Sequence, residues 1–450
     1  MTTTKRNHFG SRLGIILASA GSAVGLGNVW RFPTEAGRNG GAAFILIYLI
    51  MVILIAMPVM VGEFVVGRAS KANAVHSYQR LGAGRLWGKT GYLCVLGGFM
   101  VLSFYCVIAG WTLQAVVSTL AGEVEHTNYA SQFNAFISHP WLPLLYMTTF
   151  LLLTHLVVSR GVQKGIEWFS KTMMPLLFLI ILLLMGVSLS MPGAKQGVQF
   201  LLQPDFSKIT TDVVLSAMGQ AFFTLSVGIS CLATYASYFK DDTPLIKSAL
   251  NVCAIDTLVA VVSGFIIFPA IFTMPGAQVD AGPALVFITL PYVLDYAFAS
   301  YPALSFFFML LFYLLLFLAA LTSSISMHEL TTAYLSEQFQ LTRRRASTIV
   351  LFVCLVFGVA CSLSFGPWKD YTLLGLTIFD VFDSTTAKII MPLGGLLITL
   401  FVGWRMNRQV VMDQLTNGGQ LSPSTAHVIL FLIRWVAPIG VSIVFINQFL

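Results

Sequence analysis

The chain has few charged residues. Asp, Glu, Lys and Arg make up 10% of its 450 residues, whereas hydrophobic residues make up 57%. Soluble domains carry about 25% charged residues, so this composition excludes an ordinary soluble protein and indicates a protein surrounded by lipid. The net charge of +7 is explained by basic residues in cytoplasmic loops. We therefore expect a lipid bilayer as the partner and no nucleic acid.

Motifs for enzymes and redox sites are also missing. The six cysteines lie in apolar runs without a CxxC pair, which favours a role as small packing residues. The segment MHELTT (327–332) lacks the second His of a HExxH zinc motif, and the full phosphate-binding motif GxxxxGK[ST] does not occur. No linker divides the chain. We predict one transmembrane domain over residues 1–450 that is not an enzyme, and no obligate protein partner is evident.

Long apolar runs are abundant. A helix needs about 20 apolar residues to cross a bilayer. Eleven spans are predicted, at 10–38, 42–67, 88–121, 141–158, 163–190, 213–238, 242–273, 299–336, 345–366, 374–402 and 424–448. The shorter apolar segment GPALVFITLPY (282–292) is bounded by prolines and is predicted to be a re-entrant or surface hairpin.

Basic residues are concentrated on one side of these spans. They lie near the N-terminus and in the loops at 68–89, 160–171, 240–247, 343–345 and 405–408, whereas the opposite loops hold few. Cytoplasmic loops carry such an excess of Lys and Arg. We therefore predict a multi-pass protein of the cell (inner) membrane, with a cytoplasmic N-terminus and an extracytoplasmic C-terminus.

Two of the predicted spans contain weak helix formers at their centres. The first includes SAGSAVGLGNVWR (19–31), and the sixth reads AFFTLSVGISCLATYASY (221–238). Gly costs about 1 kcal/mol relative to Ala in a helix. Close helix packing through Gly21 and Gly25, a GxxxG pair, is one explanation. Interrupted spans at matching positions of two halves favour the other explanation, a transporter site between two broken helices.

Six stretches form a recognisable set: RLGIILASAGSAVGLGNVWRFP (12–33), NGGAAFILIY (39–48), GQAFFTLSVG (219–228), TYASY (234–238), FITLP (287–291) and ALTSSIS (320–326). With the span around Asp383, they resemble the neurotransmitter:sodium symporter family, especially its bacterial amino-acid transporters. The resemblance implies an all-α membrane protein of the LeuT-type fold, a 5+5 inverted repeat with unwound helices 1 and 6. The repeats would occupy about 10–190 and 213–402, and 424–448 would be an extra helix.

The resemblance also implies two Na⁺ sites. The first would use the carbonyl of Ala23, the side chain of Asn28, the carbonyl and hydroxyl of Thr224, and a seventh-span residue that is usually Asn but here is Asp256. A carboxylate in the middle of a membrane span costs free energy, so it should be paired with another group or have a function. Asp256 would bind sodium directly, replace the negative charge that chloride supplies in animal relatives, or both; a protonated, hydrogen-bonded Asp is the alternative. The combined role is favoured, so no chloride requirement is expected.

The second sodium site would use carbonyls of Gly21, Val24 and Ala319 and hydroxyls of Thr322 and Ser323. Hydroxyls in a span also bond back to their own helix, which is the alternative. In span two, Glu63 would hydrogen-bond the freed backbone of the broken helices.

The substrate site would lie between the breaks. The resemblance assigns the substrate carboxylate to the amides of Leu26 and Gly27 and the hydroxyl of Tyr105. The ammonium would contact carbonyls of Ala23, Phe223 and Thr224, with Ser226. The side-chain pocket would comprise Val101, Tyr105, Phe223, Ser226, Ile229, Ser323 and Met327. Gly25 stands where monoamine carriers of the family have Asp, which favours a zwitterion.

Charged residues suggest gates. By resemblance, Arg31 pairs with Asp383 as the outer gate, directly or through water, with Asp380 as the alternative partner and Tyr105 and Phe223 as a lid. The inner pair would be Arg6 with Glu337, next to Phe9 and Tyr238; two surface charges are the alternative.

We therefore predict a sodium-coupled symporter that imports a neutral, hydrophobic or aromatic L-amino acid by alternating access. An amino-acid sensor, a sodium-coupled carrier of another small zwitterion and a passive ion channel are the alternatives. The preferred amino acid, sodium stoichiometry, proton antiport and oligomeric state are left open.

Overall fold

A computed structural model of the chain describes residues 8–82, 84–123, 128–276 and 282–448. Within these ranges the structure is helical, apart from an isolated β-bridge between Leu373 and Leu376 and a short 3₁₀ turn at Phe206–Lys208. The helices are Arg12–Ala23 (α1), Gly27–Arg38 (α2), Ala42–Ser70 (α3), Ala74–Arg80 (α4), Gly84–Ala121 (α5), Tyr129–Ser138 (α6), Leu142–Ser159 (α7), Val162–Ser188 (α8), Ala194–Leu202 (α9), Thr211–Thr224 (α10), Cys231–Ala236 (α11), Leu245–Thr273 (α12), Leu285–Ala297 (α13), Pro302–Gln338 (α14), Arg343–Leu363 (α15), Ile378–Arg405 (α16), Arg408–Thr416 (α17) and Pro423–Asn447 (α18).

Nine helices in the described part of the chain are long and apolar enough to cross a membrane: α3, α5, α7, α8, α12, α14, α15, α16 and α18. The bent pair α1 and α2 would be a tenth. The predicted sixth span is divided into α10, with 14 residues, and α11, with six, and each is too short to cross alone. The total of eleven spans and the 5+5 repeat therefore remain predictions.

The predicted hairpin at 282–292 is wrong, because residues 285–292 of that segment belong to one helix, α13. Its proline, Pro291, follows a π-helical turn at Leu285–Thr289. Proline removes one helical hydrogen bond and its ring clashes with the carbonyl four residues back. The wider π turn relieves this conflict, so the helix continues past the proline.

The same arrangement recurs at other prolines of the chain. In five helices, a π-helical turn ends two residues before a proline, and the residue before the proline donates its N–H to the carbonyl five residues back. The five donor–acceptor pairs are Phe32–Gly27, Met57–Val52, Leu290–Leu285, Met391–Thr386 and Ala437–Leu432. Proline thus sets the position of several local bends without ending the helices.

The two interrupted helix pairs lie at the centre of the helix assembly. The α1–α2 pair packs against α12 and α14, and the α10–α11 pair packs against α3. The long helix α14 also lies along α5 and α8. Both breaks are therefore surrounded by other helices, where irregular backbone is tolerated at membrane depth.

Candidate functional site

The first break lies between α1 and α2. The α1 helix ends at Ala23, and the next residue, Val24, is extended with φ −64° and ψ 112°. The α2 helix begins at Gly27 and is bent by 57° from α1. The bend leaves the backbone at residues 24–26 outside the regular helical pattern, so its polar groups are available to other partners.

The second break occupies residues 225–230, between α10 and α11. Three of its residues have positive φ angles: Ser226 at 51°, Gly228 at 94° and Ser230 at 60°. A Cβ atom on Gly228 would lie 2.2 Å from the carbonyl oxygen of Met391, so only glycine fits there. The backbone at this break is therefore fixed by tight packing against α16.

A buried carboxylate supports the second break. Glu63 of α3 accepts hydrogen bonds from the backbone N–H of Gly228 to Oε1 at 2.7 Å and from that of Ala233 to Oε2 at 3.1 Å. One amide lies within the break and the other in the first turn of α11, where helical acceptors are missing. The structure thus places Glu63 against freed backbone, as the resemblance implied.

A cavity lies against both breaks. The centre of a water-sized molecule can move within about 60 Å³ of it. The eleven residues that the resemblance assigned to substrate all line it: Ala23, Leu26, Gly27, Val101, Tyr105, Phe223, Thr224, Ser226, Ile229, Ser323 and Met327. Gly25, Phe104, Thr386 and Met391 complete the lining. The structure therefore brings residues of α2, α5, α14 and both breaks together around one cavity.

The lining of this cavity is mainly apolar with a few polar groups, a composition typical of small-molecule sites. Val101, Phe104, Ile229, Met327 and Met391 supply bulky apolar side chains. The Tyr105 hydroxyl accepts a long hydrogen bond of 3.5 Å from the backbone N–H of Leu26. The cavity can therefore surround an apolar side chain while leaving backbone amides and hydroxyls for a polar head group.

Asp256 forms a buried cluster beside the cavity. The Asn28 side chain donates to Asp256 Oδ1 at 2.8 Å and to its carbonyl oxygen at 3.0 Å. The Thr224 hydroxyl donates to Asp256 Oδ2 at 3.1 Å, and Gly25 N–H donates to Asn28 Oδ1 at 2.9 Å. Thr224 and Ala23 also line the cavity. The cluster thus connects both breaks with the seventh predicted span.

The oxygen atoms of this cluster suit a hard cation. Carboxylate, amide, hydroxyl and carbonyl oxygens are the ligands that replace the hydration of such ions. No group of three or more His, Cys, Asp or Glu residues that could hold a metal ion occurs within the described ranges. The single carboxylate of Asp256 therefore has uncharged oxygen neighbours, which fits a monovalent cargo ion better than a zinc-type metal.

The residues assigned to the second sodium site also lie together. The Ser323 hydroxyl donates to the carbonyl oxygen of Val24 at 2.9 Å and to that of Gly21 at 3.4 Å. The Thr322 hydroxyl bonds back to its own helix, to the carbonyls of Leu318 at 3.1 Å and Ala319 at 3.0 Å. Ser323 thus bridges to the first break, whereas Thr322 has the back-bonded arrangement that was the alternative.

Replacing Gly25 with Ala is expected to weaken sodium-dependent amino-acid binding at least about tenfold, or about 1.4 kcal/mol. The new Cβ would lie 2.7 Å from Ser323 Oγ and 3.3 Å from the Tyr105 hydroxyl. Ser323 would have to leave its contact with Val24, and the cavity would shrink. Titration calorimetry on Gly25→Ala and on the control Gly219→Ala, where a Cβ meets nothing within 4 Å, tests this. Equal affinity in both variants would contradict it.

At the predicted outer gate, Arg31 lies over Phe223, one of the two residues that the resemblance assigned to the lid. Its guanidinium carbon is 4.0 Å from the centre of the Phe223 ring, a cation–π contact. Among the described residues, neither Asp383 nor Asp380 forms an ion pair with Arg31 within 4 Å. Asp380 accepts from the Thr377 hydroxyl at 2.7 Å and caps its own helix. A direct Arg31–Asp383 pair is therefore not formed, and a pair through water remains a prediction.

At the inner side, Arg6 lies outside the described residues, so its predicted pair with Glu337 is not described. Glu337 Oε2 accepts from the backbone N–H of Asn73 at 2.9 Å and from its side chain at 3.0 Å. Phe9 is fully buried, and its N–H donates to the carbonyl of Tyr238 at 3.1 Å. The segment before α1 is thus held against the residues that follow α11.

Sequence analysis missed a second inner contact. Glu329 is fully buried in α14 and pairs with Arg343 at the start of α15, while the Tyr238 hydroxyl donates to Glu329 Oε1 at 2.6 Å. The MHELTT segment that contains Glu329 was considered only as an incomplete zinc motif. The signal that could have found the pair is a carboxylate within an apolar span, which requires a partner.

A third inner contact joins α1 to α8. Glu167 accepts the backbone N–H of Gly10 to Oε2 at 2.6 Å, and the N–H and hydroxyl of Ser11 to Oε1 at 3.1 and 2.9 Å. Lys171 lies 2.6 Å from the same Oε1. A Cβ on Gly14 would lie 2.2 Å from Oε1, so glycine allows this close approach. Ser11 caps α1 by accepting the N–H of Gly14, and a carboxylate of another helix therefore holds this N-cap residue in place.

Comparison with known proteins identifies the family. The family model of the sodium:neurotransmitter symporter family matches residues 6–136 and 137–450. An uncharacterized sodium-dependent transporter of Bacillus subtilis is 39% identical over 450 residues, covering 99% of this chain and 98% of that protein. One of Haemophilus influenzae is 32% identical over 466 residues and covers all of both chains.

A solved structure agrees in fold. The crystal structure of MhsT in complex with L-phenylalanine matches with a TM-score of 0.89 and 39% sequence identity, covering 98% of this chain and 100% of that one. The matches and the apolar helices make the chain a multi-pass membrane protein of a transporter family, not a member of an enzyme family. The chain therefore belongs to the sodium:neurotransmitter symporter family and is a sodium-dependent transporter.

Proposed function

We propose that this protein imports a neutral, hydrophobic or aromatic L-amino acid, driven by sodium, through alternating access. The observation that carries the proposal is the cavity between the two breaks, whose lining combines bulky apolar side chains with the freed amides of Leu26 and Gly27. Backbone amides at a broken helix are suited to a substrate carboxylate. The substrate carboxylate and the first sodium would then stabilise each other.

The side-chain end of the cavity supports a bulky apolar substrate. Met327 and Met391 are adaptable, and Val101, Phe104 and Ile229 add apolar surface without charge. The structural neighbour MhsT binds L-phenylalanine. A zwitterion is favoured over an amine because Gly25 offers no carboxylate to the cavity.

Two sodium ions are proposed as cargo. The first would lie among Ala23, Asn28, Thr224 and Asp256, and the second among Gly21, Val24, Ala319, Thr322 and Ser323. For the first, Asp256 supplies a fixed negative charge, so no chloride is required. For the second, the Thr322 hydroxyl turns from Leu318 and Ala319 toward the ion.

Thermal stabilisation of the purified protein by each of the twenty L-amino acids, in sodium and in potassium, tests this proposal. A ligand that binds only the folded protein stabilises it by about 2.7 kcal/mol at a hundredfold excess over Kd. We expect hydrophobic and aromatic amino acids to stabilise in sodium only. A preference for glycine or a charged amino acid, or stabilisation that ignores the cation, would overturn the assignment.

Uptake into proteoliposomes separates transport from sensing. A symporter accumulates labelled amino acid only when an inward sodium gradient is present, and sodium enters with it. Binding without accumulation would instead support the amino-acid sensor. Sodium movement that does not depend on an amino acid would support a channel.

A further inference from the structure

An arginine within the last membrane helix has no role in the proposed transport. Arg434 lies in α18, whose 25 residues have a hydropathy typical of a membrane span. It is half-buried and belongs to the π-helical turn Leu432–Val436. An ionisable residue in such a helix is rare and requires a partner for its charge.

The protein itself supplies no anionic partner to Arg434 in the part of the chain that the structure describes. No carboxylate lies within 4 Å of its guanidinium. Its Nε atom is buried and makes no hydrogen bond. The guanidinium carbon lies 4.1 Å from the ring of Trp404, so the cation is stacked on an indole face. The stacking fixes the position of the guanidinium and leaves its two terminal NH₂ groups, unlike the buried Nε, as donors for a ligand.

The contacts of Arg434 also fix its depth. The Trp404 indole N–H donates to the carbonyl oxygen of Arg434 at 3.0 Å, so the two residues lie at the same level. Trp404 precedes Arg405, the last residue of α16, and the next helix begins at the exposed Arg408. Arg434 therefore lies level with the end of α16, close to these basic residues.

The site is built by close helix packing. A Cβ on Gly403 would lie 2.9 Å from the Cα of Arg434, so glycine allows α16 and α18 to approach closely. The rings of Trp404 and Trp435 are 4.6 Å apart and nearly perpendicular, and their exposed fractions are 47% and 46%. One indole, that of Trp404, thus stacks on the guanidinium, and the indole of Trp435 packs edge-on against Trp404 on the outer surface of the helix assembly.

We infer that Arg434, Trp404 and Trp435 form a binding site for the phosphate group of an anionic phospholipid. The guanidinium fork matches two phosphate oxygens and stays charged in the headgroup region. The exposed indoles would contact the glycerol and the upper acyl chains, which a free phosphate ion lacks. Basic residues between membrane helices on the cytoplasmic side recognise anionic headgroups in this way.

Lipid retention measured by native mass spectrometry tests the inference. The full-length protein in detergent is mixed with phosphatidylglycerol or phosphatidylcholine, and Arg434→Gln is compared with wild type. The matched control is Arg408→Gln, which removes an exposed arginine of the same face that is not stacked on an indole. We expect Arg434→Gln to bind phosphatidylglycerol at least about tenfold more weakly, with phosphatidylcholine unaffected and Arg408→Gln close to wild type.

Further variants and ligands make the outcome decisive. Arg434→Lys keeps the charge but not the planar fork, so its affinity for phosphatidylglycerol should lie between those of the wild type and Arg434→Gln. Equal loss in Arg434→Gln and Arg408→Gln would show general surface charge and overturn the site. Displacement of the lipid by millimolar inorganic phosphate would reassign the site to a free anion. If Arg434→Gln binds lipid as the wild type does but no longer forms a dimer that the wild type forms, the site would be reassigned to a contact between copies of the chain. Sodium-dependent thermal stabilisation by an amino acid verifies that each variant is folded.

Discussion

Asp256→Asn is expected to raise the sodium concentration for half-maximal uptake by about a hundredfold, which corresponds to about 2.7 kcal/mol. Asn preserves the shape of the site. Its Oδ1 still accepts from Asn28, and the Thr224 hydroxyl turns to accept from the new amide. The variant therefore loses charge and not packing. A buried cation without its carboxylate loses several kcal/mol, since little solvent screens the site. Sodium titrations of uptake in proteoliposomes measure the change.

The same variant tests whether Asp256 replaces chloride. If its carboxylate supplies the fixed negative charge, chloride should stimulate uptake by Asp256→Asn and have no effect on wild type. The control is Asp413→Asn, an exposed aspartate of α17, which should keep wild-type sodium dependence. Sodium dependence of Asp256→Asn equal to that of wild type would contradict a direct role and favour a protonated Asp.

Glu63→Gln is expected to weaken sodium-dependent amino-acid binding by about tenfold to a hundredfold. Glu63 accepts two backbone N–H groups, one on each carboxylate oxygen. The Gln side chain has one oxygen acceptor, so its NH₂ group would face the backbone N–H of either Gly228 or Ala233. An unsatisfied buried donor costs about 1–3 kcal/mol. Because Gly228 lies in the second break, the loss displaces the backbone that carries Thr224 and Ser226.

Calorimetric titration with the preferred amino acid measures this effect, with Glu123→Gln as the control. Glu123 is exposed, and its substitution should leave binding unchanged. Glu63→Asp shortens the side chain but keeps both acceptors, so we expect a smaller loss than for Gln. Wild-type affinity in Glu63→Gln would show that the second break is fixed by packing alone.

The positions of the helices and their breaks could be predicted from the sequence because they depend on local composition. Apolar runs define the membrane helices, and the glycine- and serine-rich stretches coincide with the breaks after Ala23 and Thr224. The resemblance then placed eleven residues, all of which line one cavity. The hairpin was wrong because Pro291 was treated as a boundary, whereas a π turn accommodates it.

The rest of the site depends on contacts between distant helices. Met391 lines the cavity from α16, and the segment Met391–Leu400 is apolar apart from Thr399, so its own pattern does not indicate which face is turned inward. The rotation of such a helix is set by its neighbours, not by its own pattern. Likewise, the opposite charges of Arg31 and Asp383 suggested an ion pair, whereas Arg31 stacks on the ring of Phe223. The spacing of charged residues along a sequence does not indicate contacts with aromatic rings.

The contact between Glu167 and the residues at the start of α1 has a consequence for movement of this helix. One carboxylate holds Gly10 and Ser11 together, and Lys171 binds the same oxygen atom as Ser11. Any movement of the start of α1 away from α8 must break these hydrogen bonds, which join both oxygen atoms of one carboxylate to two adjacent residues. Partial opening would leave amides without partners. This contact therefore stabilises the arrangement in which the start of α1 is packed against α8.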